Sequence, residues 1–203
     1  MRKIAVKLGL VVVALGLLGY GVWSVGASEA PWRPGDAWSV KVERVQVFIG
    51  ESSPSWAEAN RLRFEVLRVK RSVGGTRIQV RVTFDRPVLN GYTVLDLTYD
   101  ADSLAPVSGR LTTQGRPAVD WKTARPLLEA SLIPFEGLAW HEISADQLTY
   151  RAAGQEWSAY RVQQGGRQYG WAEGLPWWLW YESGEQVRAE LVECSCWSAD
   201  GRP

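Results

Sequence analysis

The sequence predicts a mainly β chain with a little helix: a curved antiparallel sheet or half-barrel meander with one or two short helices, preceded by an N-terminal hydrophobic helix. Three observations lead there. Val, Trp, Tyr and Thr recur in short blocks whose apolar members alternate with polar ones, which is the period of a half-buried strand. Turn-forming pairs such as Gly74-Gly75 and Gly165-Gly166 separate the blocks. Leu8 to Val25, by contrast, is an almost uninterrupted apolar run, and a half-buried element has no use for one.

That run follows Arg2, Lys3 and Lys7. A helix of about 18 residues rising about 1.5 Å each crosses most of a bilayer core, and the cations hold its N-terminus on the cytoplasmic side. Residues 1–27 are therefore read as a signal peptide or an N-terminal membrane anchor. Val25-Gly26-Ala27 offers the small residues a signal peptidase uses, while the length of the run and the placement of Tyr20 and Trp23 suit a retained anchor. Both readings stay open. No cysteine follows at a lipid-attachment position. The expected location is extracytoplasmic: secreted, periplasmic or membrane-tethered facing outside.

Residues 31–197 are expected to form a single exported antiparallel β-domain, with 198–203 as a C-terminal tail, because no repeat or low-complexity linker divides them. Without the three leader cations, 23 Lys plus Arg become 20 against 22 Asp plus Glu, a net charge of −2. Near-neutrality and export both speak against nucleic acid as a partner.

In chain order, Pro31 to Asp36 reads as a turn that delivers a first strand, Ala37 to Ile49, with Trp38, Val40 and Val42 on one face. The apolar positions turn odd-numbered at Val45, which predicts a bulge near Glu43. Gly50 to Asn60 reads as a loop, with Trp56 to Asn60 as one helical turn. Leu62, Phe64 and Val66 alternate, and Val73-Gly74-Gly75-Thr76 turns them into Ile78 to Phe84. Asp85-Arg86-Pro87 should end that arm. Leu95, Leu97 and Tyr99 mark the next strand, which turns at Asp100-Ala101-Asp102-Ser103 into Leu104 to Thr112. One short helix fits between Thr123 and Leu132. Hairpins then resume as Gln147 to Ala152 with Glu156 to Gln163, and Trp177 to Tyr181 with Gln186 to Glu193.

Three segments carry a likeness: Gly35-Asp36-Ala37-Trp38-Ser39-Val40, Tyr99 to Val107, and Gly174-Leu175-Pro176-Trp177. Through them the chain resembles bacterial envelope proteins built on the lipoprotein-carrier half-barrel (the LolA and LppX type) and similar exported β-rich families. The resemblance covers about a fifth of the chain and lacks the lipid-attachment cysteine of the anchored members. It implies a binder of a lipid-like ligand or an envelope partner, with no catalytic residue to carry over.

The residues nominate two surfaces. Trp171, Trp177, Trp178, Trp180 and Tyr181 are candidate ligand contacts, since indoles offer broad flat area at little entropic cost; a doubly buried strand is the competing reading. Arg61, Arg63, Arg68, Lys70, Arg71, Arg77 and Arg81, with only Glu65 among them, are candidates for contact with an anionic surface. The competing reading is a solvated face whose partners lie elsewhere in the sequence.

Catalytic signals are thin. The single histidine, His141, would have to serve any imidazole-based hydrolase, and no nucleophile elbow, phosphate loop, dinucleotide fingerprint or zinc spacing appears. No cofactor and no metal is expected. Asp96, Asp100 and Asp102 read as an Asp-rich hairpin turn in preference to calcium ligands. Cys194 and Cys196 are a disulfide candidate, but extended Cβ atoms two residues apart lie about 6 to 7 Å from each other, wider than a bridge wants. A kinked local bridge, unbridged or intermolecular thiols, and a soft-metal site all stay open. The function expected is therefore a non-catalytic exported cell-envelope protein that binds a hydrophobic ligand or a partner, with a structural envelope protein and an unrecognised hydrolase as alternatives.

Overall fold

A computed structural model describes residues 32–46, 55–136, 147–164, 166–172, 175, 177–184 and 186–195. The leader, His141, Cys196 and the C-terminal tail lie outside these residues. Among the described residues no helix is long and apolar enough to cross a membrane.

The chain is mainly β. Its strands are β1 (Ala37–Gln46), β2 (Ser55–Ser72), β3 (Gly75–Val88), β4 (Tyr92–Asp100), β5 (Pro106–Thr112), β6 (Val119–Asp120), β7 (Gln147–Ala152), β8 (Gln155–Gln164), β9 (Arg167–Ala172), β10 (Trp180–Ser183) and β11 (Val187–Cys194); one helix, α1, spans Trp121–Ser131. All eleven strands join one sheet in the order β6-β5-β4-β3-β2-β1-β11-β10-β9-β8-β7, and every pairing is antiparallel. The chain meanders outward from β1 to β6, passes through α1, and meanders back from β7 until β11 closes on the free side of β1. The sheet does not close into a barrel: β6 and β7 remain its edges.

Alternation decides which face is dry. Trp38, Val40 and Val42 of β1 share a face with Leu62, Phe64 and Val66, with Ile78, Val80, Val82 and Phe84, with Leu95, Leu97 and Tyr99, and with Ala189 and Leu191; all are buried. Helix α1 covers part of this face with Trp121, Ala124 and Leu128, followed by Ile133 and Phe135. Asp120 caps the helix by accepting the Lys122 N–H at 2.9 Å. Trp177, Trp178 and Leu179 cover the rest. The Trp38 ring stacks on Phe64 with centroids 4.9 Å apart, and Trp177 lies 5.4 Å from Trp38 and 5.0 Å from Phe64. Burying each such side chain contributes about 1.5–3 kcal/mol. The buried indole nitrogens of Trp32, Trp177 and Trp178 have no hydrogen-bond partner among the described residues. Edge-on ring approaches, such as Trp32 against Trp177 at 82°, are the geometry in which a ring face accepts a polar edge.

Several expectations need correction. The segment Trp56 to Asn60 is strand, not a helical turn, because β2 begins at Ser55 and pairs with the far end of β1. The expected bulge lies between Val42 and Glu43, and its extra residue is Ala59 on β2, since Val42 pairs with Asn60 and Glu43 with Glu58. Pro87 does not end β3; buried Asn60 binds the Arg86 carbonyl at 2.8 Å and the Arg86 N–H at 3.0 Å, which carries the strand on to Val88. Of Trp177 to Tyr181 only Trp180 and Tyr181 are strand, so simple alternation does not place Trp177 and Trp178, and both sink into the core. Strand β9 is an addition to the reading. The helix starts two residues earlier than expected.

Candidate binding groove

The last five strands curl away from the main core. Their opposite face carries Leu148 and Tyr150 of β7, Trp157 and Ala159 of β8, Gly170 and Ala172 of β9, and Trp180 of β10. Cross-strand pairs Leu148–Ala159, Tyr150–Trp157, Ala159–Ala172 and Gly170–Trp180 place them together. The curl brings β7 back over β11, where Tyr150 Oη donates to Glu190 Oε1 at 3.4 Å and the Ala153 N–H donates to the Leu191 carbonyl at 3.2 Å.

Between the curled hairpin and the strands β10, β11 and β1 lies a groove of about 450 Å³. Leu148, Tyr150 and Trp180 form its apolar part; three cations, Lys41, Arg161 and Arg188, and three carboxylates, Glu43, Glu182 and Glu190, form its polar part. Trp180 and Tyr150 have ring centroids 6.2 Å apart. The indole can lie across the sheet only because its cross-strand neighbour is glycine: a Cβ at Gly170 would stand 2.0 Å from Trp180 Nε1.

The charges are organised. Glu43 sits between Lys41 Nζ at 3.2 Å and Arg188 Nε at 2.6 Å. Partial burial works against its ionisation, but the hydrogen bonds and charges of Arg188 and Lys41 outweigh it and hold the carboxyl below its ordinary value. Arg188 also covers the Trp56 ring at 4.5 Å. Burial first, and then the neighbouring Glu190 charge, push the Tyr150 phenol up to about 12. The groove is therefore a balanced polar cleft with one aromatic wall, suited to holding a ligand that offers both charges and an apolar surface.

Of the five nominated aromatic residues, Trp171, Trp177, Trp178 and Tyr181 are packed into the interior. Trp171 stacks on Tyr160 and donates to the Leu175 carbonyl at 2.8 Å. Half-buried Trp180 faces the groove, and Tyr181 also touches its wall. The nominated cations share the outer face of β2 and β3, and three of them meet carboxylates. Arg81 makes a two-pronged pair with Asp96 at 2.8 and 3.1 Å, Arg77 pairs with Asp100, and Arg61 lies 3.8 Å from Glu58. Cross-strand register lines up Glu65, Arg81, Asp96, Arg110 and Asp120 as a row of alternating charge over five strands. Arg63, Arg68 and Lys70 are exposed on β2. The Asp100 carboxylate accepts from the Asp102 and Ser103 N–H groups, the hydrogen bonding of a turn. Among the described residues no His, Cys, Asp and Glu group is arranged to hold a metal. Cys194 is half-buried at the end of β11 opposite Trp38; Cys196, its candidate disulfide partner, lies outside the described residues.

Lys41, Glu43, Tyr150, Arg161, Arg188 and Glu190 were not nominated from the sequence. They come from four strands up to 149 positions apart in the chain, and only register and curl bring them together.

No family model matches the chain, and no curated protein matches it. Among solved structures it is similar to a "putative lipoprotein" of Parabacteroides distasonis, with a TM-score of 0.41 and 8% identity over 80% of this chain and 96% of the other. None of these comparisons links the chain to the lipoprotein-carrier half-barrels.

Proposed function

We propose that the chain is a non-catalytic exported cell-envelope protein that binds an amphiphilic envelope ligand, or a segment of an envelope partner, in the groove walled by Trp180. The observation that carries this reading is the groove's composition: an aromatic wall fixed by Gly170 beside three cations and three carboxylates. The expected purely greasy site loses support, because Trp177 and Trp178 spend their surface on the core. A molecule with a charged or zwitterionic head and a short apolar part matches the cleft better than a bare acyl chain. The basic leader and apolar run support an envelope location.

A structural envelope protein without a ligand is favoured by one observation, the filled tryptophan core. Three carboxylates in a polar cleft recommend a hydrolase, in which Glu43, held ionised by Lys41 and Arg188, would not be the general acid. Native mass spectrometry of the chain isolated from its own host tests the proposal. It predicts a bound mass that Trp180→Ala and Tyr150→Phe each weaken. A chain that carries no adduct and takes none up from a host envelope extract would overturn it.

A further inference from the structure

The groove walled by Trp180 is balanced in charge as a whole but not from place to place. Lys41 stands opposite Glu190 in the β1–β11 register, and Arg188 stands opposite Glu182 in the β10–β11 register. Both cations are held instead by Glu43, at 3.2 and 2.6 Å, and Arg188 also lies over the Trp56 ring at 4.5 Å. One carboxylate thus occupies two cations, and among the described residues neither Glu182 nor Glu190 makes an ion pair. These two carboxylates converge on Tyr150. Its hydroxyl donates to Glu190 Oε1 at 3.4 Å, and burial first, then the charges of Glu190 and Glu182, keep the phenol neutral. The uncharged Tyr150 ring faces Trp180 across 6.2 Å at an angle of 47°. Ring faces attract cations, and a carboxylate strengthens any hydrogen bond that a charged donor brings to it. Two rings and two carboxylates without cations therefore describe a seat for an ammonium group. A hard metal ion would want a cage of oxygens in place of the rings.

A cation waits on the far side of the indole. Register sets Arg161, Gly170, Trp180 and Glu190 side by side on four strands, with the indole lying over the glycine. Arg161 is exposed, its neighbour across the ladder is that glycine, and among the described residues no carboxylate pairs with it. Three strand spacings, about 14 Å between backbones, separate Arg161 from Glu190. An amino acid carries its two charges on one carbon and is too short to meet both side chains. A phosphoethanolamine holds its charges several bonds apart, and a guanidinium forks onto phosphate. We propose that the groove takes a zwitterionic head of the phosphoethanolamine kind, its ammonium between Tyr150 and Trp180 against Glu182 and Glu190, its phosphate on Arg161. This rests on the groove being the binding site and narrows the ligand by its charges. The head is either part of a lipid or free.

Calorimetric titration of the full chain tests this with two sets of probes. The free set is glycerophosphoethanolamine, its N-acetyl derivative and glycerophosphoglycerol; the lipid set is the dihexanoyl phospholipid of each, kept below its micelle-forming concentration. The ethanolamine compound should bind, while the acetylated and glycerol compounds, which lack the ammonium, should not. Discrimination in both sets means that the head suffices, and discrimination among the lipids alone assigns the ligand to the bilayer; either result supports the proposal. Glu182→Gln combined with Glu190→Gln should weaken ethanolamine binding about tenfold or more, the worth of a single charge-assisted hydrogen bond. Arg161→Gln should weaken it as well. Equal binding of the acetylated compound, or ethanolamine binding indifferent to the two glutamate substitutions, would overturn the proposal, and the comparison of probes needs no variant to fold. If the chain ignores every probe yet carries a host mass that Trp180→Ala weakens, the proposal falls and the groove remains a binding site. If it carries no host mass either, both fall.

Discussion

Gly170 has no side chain because Trp180 fills the space one would need. A Cβ there would meet the indole at 2.0, 2.3 and 2.6 Å, so Gly170→Ala should cost about 1–3 kcal/mol, the range for overpacking. Urea denaturation measures this, and the cost should shrink in the double variant with Trp180→Ala because the two residues share one clash. Tyr99 makes a second residue-scale case. Its hydroxyl donates to the Phe135 carbonyl at 2.7 Å inside the core, so Tyr99→Phe orphans that carbonyl at a cost of about 1–3 kcal/mol. Burial, followed by the charges of Glu136 and Glu129, raises the Tyr99 pKa well above its ordinary value. Above the unfolded pKa of about 10 the unfolded chain loses this proton while the folded chain keeps it. Stability is therefore unaffected by this group below that pH and falls above it, by up to about 1.4 kcal/mol per pH unit. Unfolding midpoints between pH 9 and 12 should fall less steeply for Tyr99→Phe than for the native chain, and parallel slopes would count against the assignment.

At the scale of elements, the outer face of β2 to β6 is a woven row of charge. Asp96 stands between Arg81 and Arg110 across the ladder. Asp96→Asn leaves those cations to repel one another and should cost about 0.5–1 kcal/mol at low salt. Repeating the denaturation at about 1 M salt should erase most of that cost, because exposed charges are screened over about 3 Å there. Helix α1 depends on Asp120, whose replacement by alanine should cost about 1 kcal/mol by thermal melting. Much of this scale was legible from the residues: alternation gave Leu62 to Val66, Ile78 to Phe84 and Leu95 to Tyr99, and the switch of parity at Val45 pointed to a bulge near Glu43, although the extra residue is Ala59 on β2 and not a residue of β1. Ser55 to Asn60 and Pro87 misled for one reason. Both are held in strand by partners distant in sequence, β1 in the first case and Asn60 in the second, and local propensity does not report such partners.

At the scale of the whole molecule, one topological fact organises the rest: β1 is central, and the two halves of the chain meander to it from opposite directions. Pattern could show that hairpins occur, but not that the second series would return to β1 and then curl across the other face of the sheet. The candidate site was correspondingly hard to read. Trp180 was visible as one aromatic residue among several, whereas register across five strands lines up Arg161, Gly170, Trp180, Glu190 and Lys41, and only the return of β7 over β11 brings Tyr150 to Glu190. Trp177 and Trp178 accordingly serve the core and Trp180 the wall of the groove, where the proposed ligand would sit. Hydroxyl-radical footprinting read at single residues tests this division most directly, on the chain alone and with a host envelope extract. Trp180 and Tyr150 should react in the free chain and become protected by the extract, while Trp177 and Trp178 stay unreactive in both. Reactive Trp177 and Trp178 that the extract protects, with Trp180 unchanged, would contradict it.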